Sequence, residues 1–236
     1  LTLEERLRRN PRLIALGRLF METKAINGVA VLFYLSRGVT LEQVFYLSII
    51  WSMVSVLAEF PTGYLADRWG RSRLLILGGV LYTASLVLAF VAQGFPMFVV
   101  QYILLAIAFA CASGAEDALM YDTLKALNEE KQANLWNGRL AAARQICKVF
   151  LPSLGALFAQ YGRFDVLVGV DVLASVGAMF FLARLVEPPH VKSVLETEET
   201  VFQAILRMIR SNATFRGLVL NQTLIFSASF LIFRAY

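Results

Sequence analysis

The sequence has one histidine, His190, and only two cysteines, Cys111 and Cys147. A histidine-based metal site needs several imidazoles around one ion, so that chemistry is excluded. Both cysteines fall inside apolar runs, where a free thiol behaves as a small packing residue rather than half of a disulfide. No nucleophile–base pair stands out and no Walker-type phosphate loop occurs, which argues against a catalytic residue, a built-in ATPase or a cofactor. Charged residues are also scarce, at 17%. The lysines and arginines behind the net charge of +5 are dispersed between apolar runs rather than gathered on one face, as a nucleic-acid site requires. A cleavable signal peptide is excluded as well, because Glu4, Glu5, Arg6, Arg8 and Arg9 precede a full-length apolar span instead of a short one.

What the sequence does have is apolar length. Hydrophobic residues make up 58% of the 236 and mean hydropathy is +0.64, against roughly 45–50% apolar residues in soluble domains. They come in runs of about 20, the number that crosses a ~30 Å hydrocarbon layer as a helix. Six complete spans are predicted at about Leu13–Leu35, Gln43–Leu65, Leu74–Ala92, Pro96–Tyr121, Leu135–Tyr161 and Val166–Val186, with a seventh starting near Leu218. Helices are expected because the backbone must satisfy its own hydrogen bonds in lipid. The runs are too long and too continuous for the alternating ~10-residue strands of a barrel. The expected fold class is therefore an all-α membrane protein.

Basic residues set the expected orientation. Arg6, Arg8, Arg9, Arg12, Arg68, Arg71, Arg73, Lys125, Lys131, Arg139, Arg184, Lys192, Arg207, Arg210 and Arg216 fall on one side, and only Arg37 and Arg163 on the other. The N-terminus is accordingly read as cytoplasmic. Three regions are expected: a six-helix bundle over 1–187, a linker over 188–215, and the start of a further bundle over 216–236. Within the linker, apolar residues at 201, 202, 205, 208 and 209 with Arg207 and Arg210 opposite them fit either an amphipathic surface helix or a solvated connection. Both chain ends read as cut.

The loop after span 2 carries Asp67, Arg68, Arg71 and Arg73, with Gly63 and Gly70 at points where backbones are expected to approach. A charged turn obeying the positive-inside rule explains the arginines, but not the aspartate among them or the paired glycines. Gly63-x-Leu65-Ala66-Asp67-Arg68-x-Gly70-Arg71 resembles the signature loop between helices 2 and 3 of the major facilitator superfamily, with Ser72 where a second basic residue is usual. Glu59 to Gly63 and Ser113 to Asp122 look like a bacterial permease branch of it. The resemblance implies a 12-helix transporter truncated here in helix 7, in the bacterial inner membrane. It further implies lipid, a small-molecule substrate and the missing C-terminal half as partners. It makes Gly63, Asp67, Arg68, Gly70, Arg71 and Arg73 a conformational latch, with Asp67 facing a helix of the missing half and Arg71 pairing with Asp122.

Ionisable residues within spans are costly, about 2.5–3.5 kcal/mol each at a helix centre on insertion scales, and usually functional or paired. Arg18 and Glu22 are one turn apart and are expected to pair, while Lys24 and Asn27 take another face toward a central cavity. Span 4 contributes Glu116 and Asp117, span 5 Arg144 and Lys148. A Glu116–Arg144 pair is expected, either to neutralise the hairpin or to carry a coupled proton. Glu59 is a second proton carrier or a hydrogen-bonding partner of the following loop. Phe20, Phe33, Tyr34, Tyr46 and Trp51 are candidates for an aromatic cavity wall. Gly138, Pro152 and Gly155 match the spacing of the family's antiporter pattern on helix 5, with Cys147, Leu151 and Ala156 where glycines are expected; close helix packing explains them equally. The function implied is proton-coupled secondary transport by alternating access, with efflux favoured slightly over uptake. A non-transporting receptor or scaffold on the same fold is the alternative.

Overall fold

The computed structural model describes residues 2–159 and 161–189, apart from the Phe60 side chain. The expected linker and seventh span, with His190, lie outside those residues. Helices are α1 (Leu3–Leu7), α2 (Asn10–Met21), α3 (Ala30–Ser36), α4 (Leu41–Trp69), α5 (Arg71–Val91), α6 (Gly94–Ala112), α7 (Ala115–Ala126), α8 (Ala133–Ala159) and α9 (Phe164–Leu182), with short 3-10 turns at Ala25–Val29 and Glu130–Gln132. Among the described residues, five stretches are long and apolar enough to cross a membrane: Leu41–Glu59, Arg71–Val91, Gly94–Ala126, Glu130–Ala159 and Phe164–Leu182.

Span 1 is the exception. Its continuous helix from Leu13 to Leu35 is not formed; α2 stops at Met21, and the chain resumes in the 3-10 turn before α3. Lys24 sits in the gap with φ −124° and ψ 63°, outside helical space. Span 4 is also interrupted, at Ser113-Gly114, where Gly114 takes φ +74° between α6 and α7. The gap in span 1 depends on partners from other helices, which its own residues do not reveal.

The loop after span 2 is shorter than its charges suggest. α4 runs through Pro61 to Trp69, and α5 begins at Arg71, so the connection is Gly70 alone. Proline does not end the helix here. Thr62 donates through its hydroxyl to the Ala58 carbonyl at 2.8 Å and to Ala110 of α6 at 3.2 Å, tying the proline turn to its neighbour. Gly63, in turn, has open space around it among the described residues and is not a point of close approach.

Two of the three buried apolar clusters among the described residues hold the bulk of the bundle. At one end Ile14, Leu74, Leu75, Leu119, Met120, Leu124 and Leu182 interlock from α2, α5, α7 and α9. At the other, Phe33, Leu47, Ala89, Phe98 and Val168 do so, with Phe33 edge-on to Phe98. α5 packs along α6 and α9, α4 along α6, and α2 along α9. Much of α4 and α8 turns outward, with Met53, Leu57, Val149, Phe150 and Leu157 each about 60–70% exposed. In water such faces are an aggregation hazard; in a bilayer they are ordinary.

α8 approaches the broken part of span 1 backbone to backbone. A β-carbon on Gly155 would lie 1.9 Å from the Ala25 carbonyl oxygen, and one on Gly28 would lie 2.4 Å from that of Pro152. Gly138, on the same helix, has nothing within 4 Å of that position. Gly155→Ala is therefore expected to lower the melting temperature of the purified full-length protein, at a cost of about 1–3 kcal/mol from overpacking. Gly138→Ala is expected to leave it unchanged or raise it slightly, by up to about 1 kcal/mol of helix propensity.

Candidate functional site

A chain of charges runs through the middle of the bundle. Arg18 on α2 meets Glu22 at the end of the same helix, Nε to Oε1 3.2 Å, and reaches Glu116 on α7, Nη1 to Oε2 3.1 Å. Lys24 Nζ returns to Glu22 Oε2 at 3.4 Å. Glu22 is 3% exposed and Glu116 8%. The Arg18–Glu22 contact is ionic rather than a directed hydrogen bond, and Glu116 keeps Oε1 without a hydrogen-bond partner among the described residues. Four alternating charges in a row offset part of the desolvation that each suffers on burial.

Two sequence expectations are corrected by this arrangement. Glu116 pairs with Arg18, not with Arg144, which makes no ion pair within 4.0 Å among the described residues and acts on Glu116 only at longer range. Lys24 does not point away from Glu22. Two residues apart on a continuous helix they would face different sides, but the gap after Met21 lets the ammonium fold back.

The charges line a cavity of about 330 Å³. Arg18, Glu22, Lys24, Asn27 and Glu116 border it, joined by Lys148 of α8 and Asp171 of α9. Its apolar wall includes Phe33, Tyr34, Trp51, Tyr82 and Phe109. Gln101, 3% exposed, also borders it, its side-chain oxygen without a hydrogen-bond partner among the described residues. Phe20 instead packs on Gly177 and Phe181, and Tyr46 is exposed and donates to Glu42 at 2.6 Å; neither lines the cavity. Glu59 and Asp117 are exposed and outside the cavity wall, and Glu59 makes no side-chain hydrogen bond to the loop after it among the described residues.

Around Gly70 a second constellation forms. Arg71 pairs with Asp122 of α7 and also donates to the Ala118 carbonyl at 3.1 Å. Arg68 donates to the Tyr64 hydroxyl at 2.9 Å and lies over its ring. Asp67 and Arg73 are exposed. Glu187, just past α9, accepts from the backbone N–H of Arg71 at 2.9 Å and of Ser72 at 2.8 Å, and from the Ser72 hydroxyl. Its carboxylate thus caps the start of α5, which has no cap of its own. Gly70 fits for two reasons: φ is +97°, and a β-carbon there would meet Glu187 at 2.9 Å.

Asn10 adds a further tie nearby. Its side chain donates to Val186 at 2.7 Å and to Thr123 at 3.2 Å, and accepts from the Val186 N–H at 3.1 Å. The sequence reading passed over Asn10, Tyr82, Gln101, Asp171 and Glu187. Asp171 carried a signal, as a lone carboxylate within an apolar run; Glu187 read simply as the start of the linker.

Helices of membrane-crossing length around a buried charge chain and a lined cavity define a multi-pass membrane protein that handles small molecules. The family model of the Major Facilitator Superfamily matches residues 13–236, and the chain belongs to that family, whose members are secondary transporters and not enzymes. No curated protein matches the chain. Lipid and a small-molecule substrate are the partners that membership brings.

The cap on α5 is testable. Glu187→Ala is expected to destabilise the folded protein by about 0.5–2 kcal/mol, the range for a lost helix N-cap. The check is a lower melting temperature by intrinsic fluorescence, with Glu187→Asp nearer to the parent.

Proposed function

We propose that the chain forms the N-terminal half of a proton-coupled transporter of the bacterial inner membrane, its N-terminus cytoplasmic, moving a small amphipathic molecule by alternating access. Glu116 carries this reading: one oxygen is held against Arg18, and the other is buried beside the cavity without a hydrogen-bond partner among the described residues. A proton arriving on that oxygen cancels the charge that holds Arg18. Arg18 then has only Glu22 to answer, and Lys24 competes for the same carboxylate. Substrate entering among Asn27, Tyr34 and Trp51 meets a charge chain whose pairing depends on that proton. Two pairings of one buried network make a bistable element of the kind that alternating access needs. The aromatic wall suits an amphipathic substrate, and outward movement is the favoured direction.

Gly63, Asp67, Arg68, Gly70, Arg71, Arg73 and Asp122 form the proposed latch at the inner end. The Arg71–Asp122 pair ties the start of α5 to α7, which also carries Glu116. A change of charge at Glu116 therefore acts on the helix that the latch grips. Asp67, exposed on the last turns of α4, is left to engage the C-terminal half through a helix dipole.

The test is proton flux in proteoliposomes of the full-length protein, with a pH-sensitive dye inside and a panel of amphipathic compounds and small metabolites outside. Substrate-dependent flux is expected, and its complete absence from correctly inserted protein would leave the non-transporting scaffold as the better reading. Glu116→Gln is expected to cut proton-driven flux by more than about tenfold, the effect of losing a step worth ~1.4 kcal/mol. Asp67→Asn is expected to abolish transport with insertion and abundance intact; full transport by that variant removes the latch assignment.

A further inference from the structure

The gap in span 1 leaves backbone groups that lipid cannot satisfy, and side chains from two other helices meet them. On its near side the Tyr82 hydroxyl of α5 donates to the Met21 carbonyl at 3.3 Å, where α2 ends. On its far side the Asp171 carboxylate of α9, 1% exposed, accepts from the N–H of Ala25 at 2.8 Å through Oδ1 and of Ile26 at 3.2 Å through Oδ2. Those are the first two donors of the 3-10 turn, the groups a preceding helical turn would otherwise bind. α8 closes the third side, with Gly155 against Ala25 and Gly28 against Pro152.

We infer that Asp171 is a positioning residue that keeps span 1 interrupted, and that this interruption sets Lys24 and Asn27 at the cavity. The argument is one of replacement. While the carboxylate holds Ala25 and Ile26, their N–H groups are satisfied without a continuous helix. Without it, the least costly partners in lipid are the carbonyls of the preceding turn, and reaching them winds residues 22–29 into α-helix. Winding separates Lys24 from Glu22, since residues two apart on a helix do not face each other. It also turns Asn27 away from its place in the wall. Asp171 thus determines whether the charge chain ends at Lys24 or at Glu22. The inference rests on the proposed transport function, in which that chain and cavity handle the substrate.

Thiol labelling in the full-length protein tests it. In a background with the native cysteines replaced, Asn27→Cys reports on the segment past the gap, and Trp51→Cys reports on the α4 wall of the same cavity. A small charged methanethiosulfonate is the probe, applied to membranes open on both sides. Adding Asp171→Ala is expected to slow labelling at position 27 by about tenfold or more, the scale of an unmade buried hydrogen bond. Position 51 is expected to stay within about twofold, since the hydrogen bonds of Asp171 go to Ala25 and Ile26 and none goes to α4 among the described residues. Asp171→Asn, which keeps one acceptor oxygen, is expected to recover part of the rate. Unchanged labelling at 27 overturns the inference, and so does an equal fall at both positions, which marks general loss of structure. If neither position labels in the parent, the cavity reading itself fails and the inference falls with it.

Discussion

A spanning helix in lipid keeps its own backbone bonds or borrows replacements, because the hydrocarbon supplies none. This constraint decides the architecture of the protein more than any single packing contact. α5, α6 and α9 obey it in the simplest way, as uninterrupted helices. Span 1 obeys it by borrowing, from Tyr82 on one side of the gap and Asp171 on the other. The borrowed bonds come from helices that pack tightly against each other through the interior, so the irregular segment rests on the most regular part of the bundle. The charges that matter sit at or beside the interruptions: Glu22 and Lys24 at the first, Glu116 in the first turn after the second at Gly114.

That placement gives the chain of charges its economy. Breaks in two helices expose carboxylates at the level of the cavity, while the remaining turns stay apolar toward lipid. Arg18 bridges the two interrupted spans, so it is the link through which a change at α7 reaches α2. Toward one end, Asn10 and Glu187 bind the segment just after α9 to α2 and α5 through side-chain bonds to backbone, and Asn10 also reaches the Thr123 hydroxyl of α7. The exit from the sixth span is thereby fastened to the residues that begin the third.

Where the sequence was informative, a local property was at work. Apolar length alone marked α4, α5, α6, α8 and α9, because the bilayer sets that length regardless of neighbours. The Arg18–Glu22 pair followed from one-turn spacing, and the motif around Asp67 and Arg71 was visible as a pattern. What escaped was decided by distant partners. Nothing in residues 21–25 announces the gap, because its supports stand on α5 and α9. Arg144 looked like the natural partner for Glu116 in a hairpin of adjacent spans, yet α7 presents its carboxylate to α2. The loop after span 2 looked like several charged residues in a turn, but α4 runs through Pro61 to take in Asp67 and Arg68, and α5 takes in Arg71 and Arg73, leaving Gly70 alone between them.

The single-residue join at Gly70 has a mechanical meaning. With no slack between them, α4 and α5 cannot shift past one another at that end; they can only pivot about it, as two arms of a pair of dividers. α5 has 21 residues, about 31 Å at ~1.5 Å per residue, so a pivot of only ~10° moves its far tip by about 5 Å. The carboxylate of Glu187 sits on that pivot. A residue outside the cavity altogether thus holds the first two N–H groups of the arm that begins there.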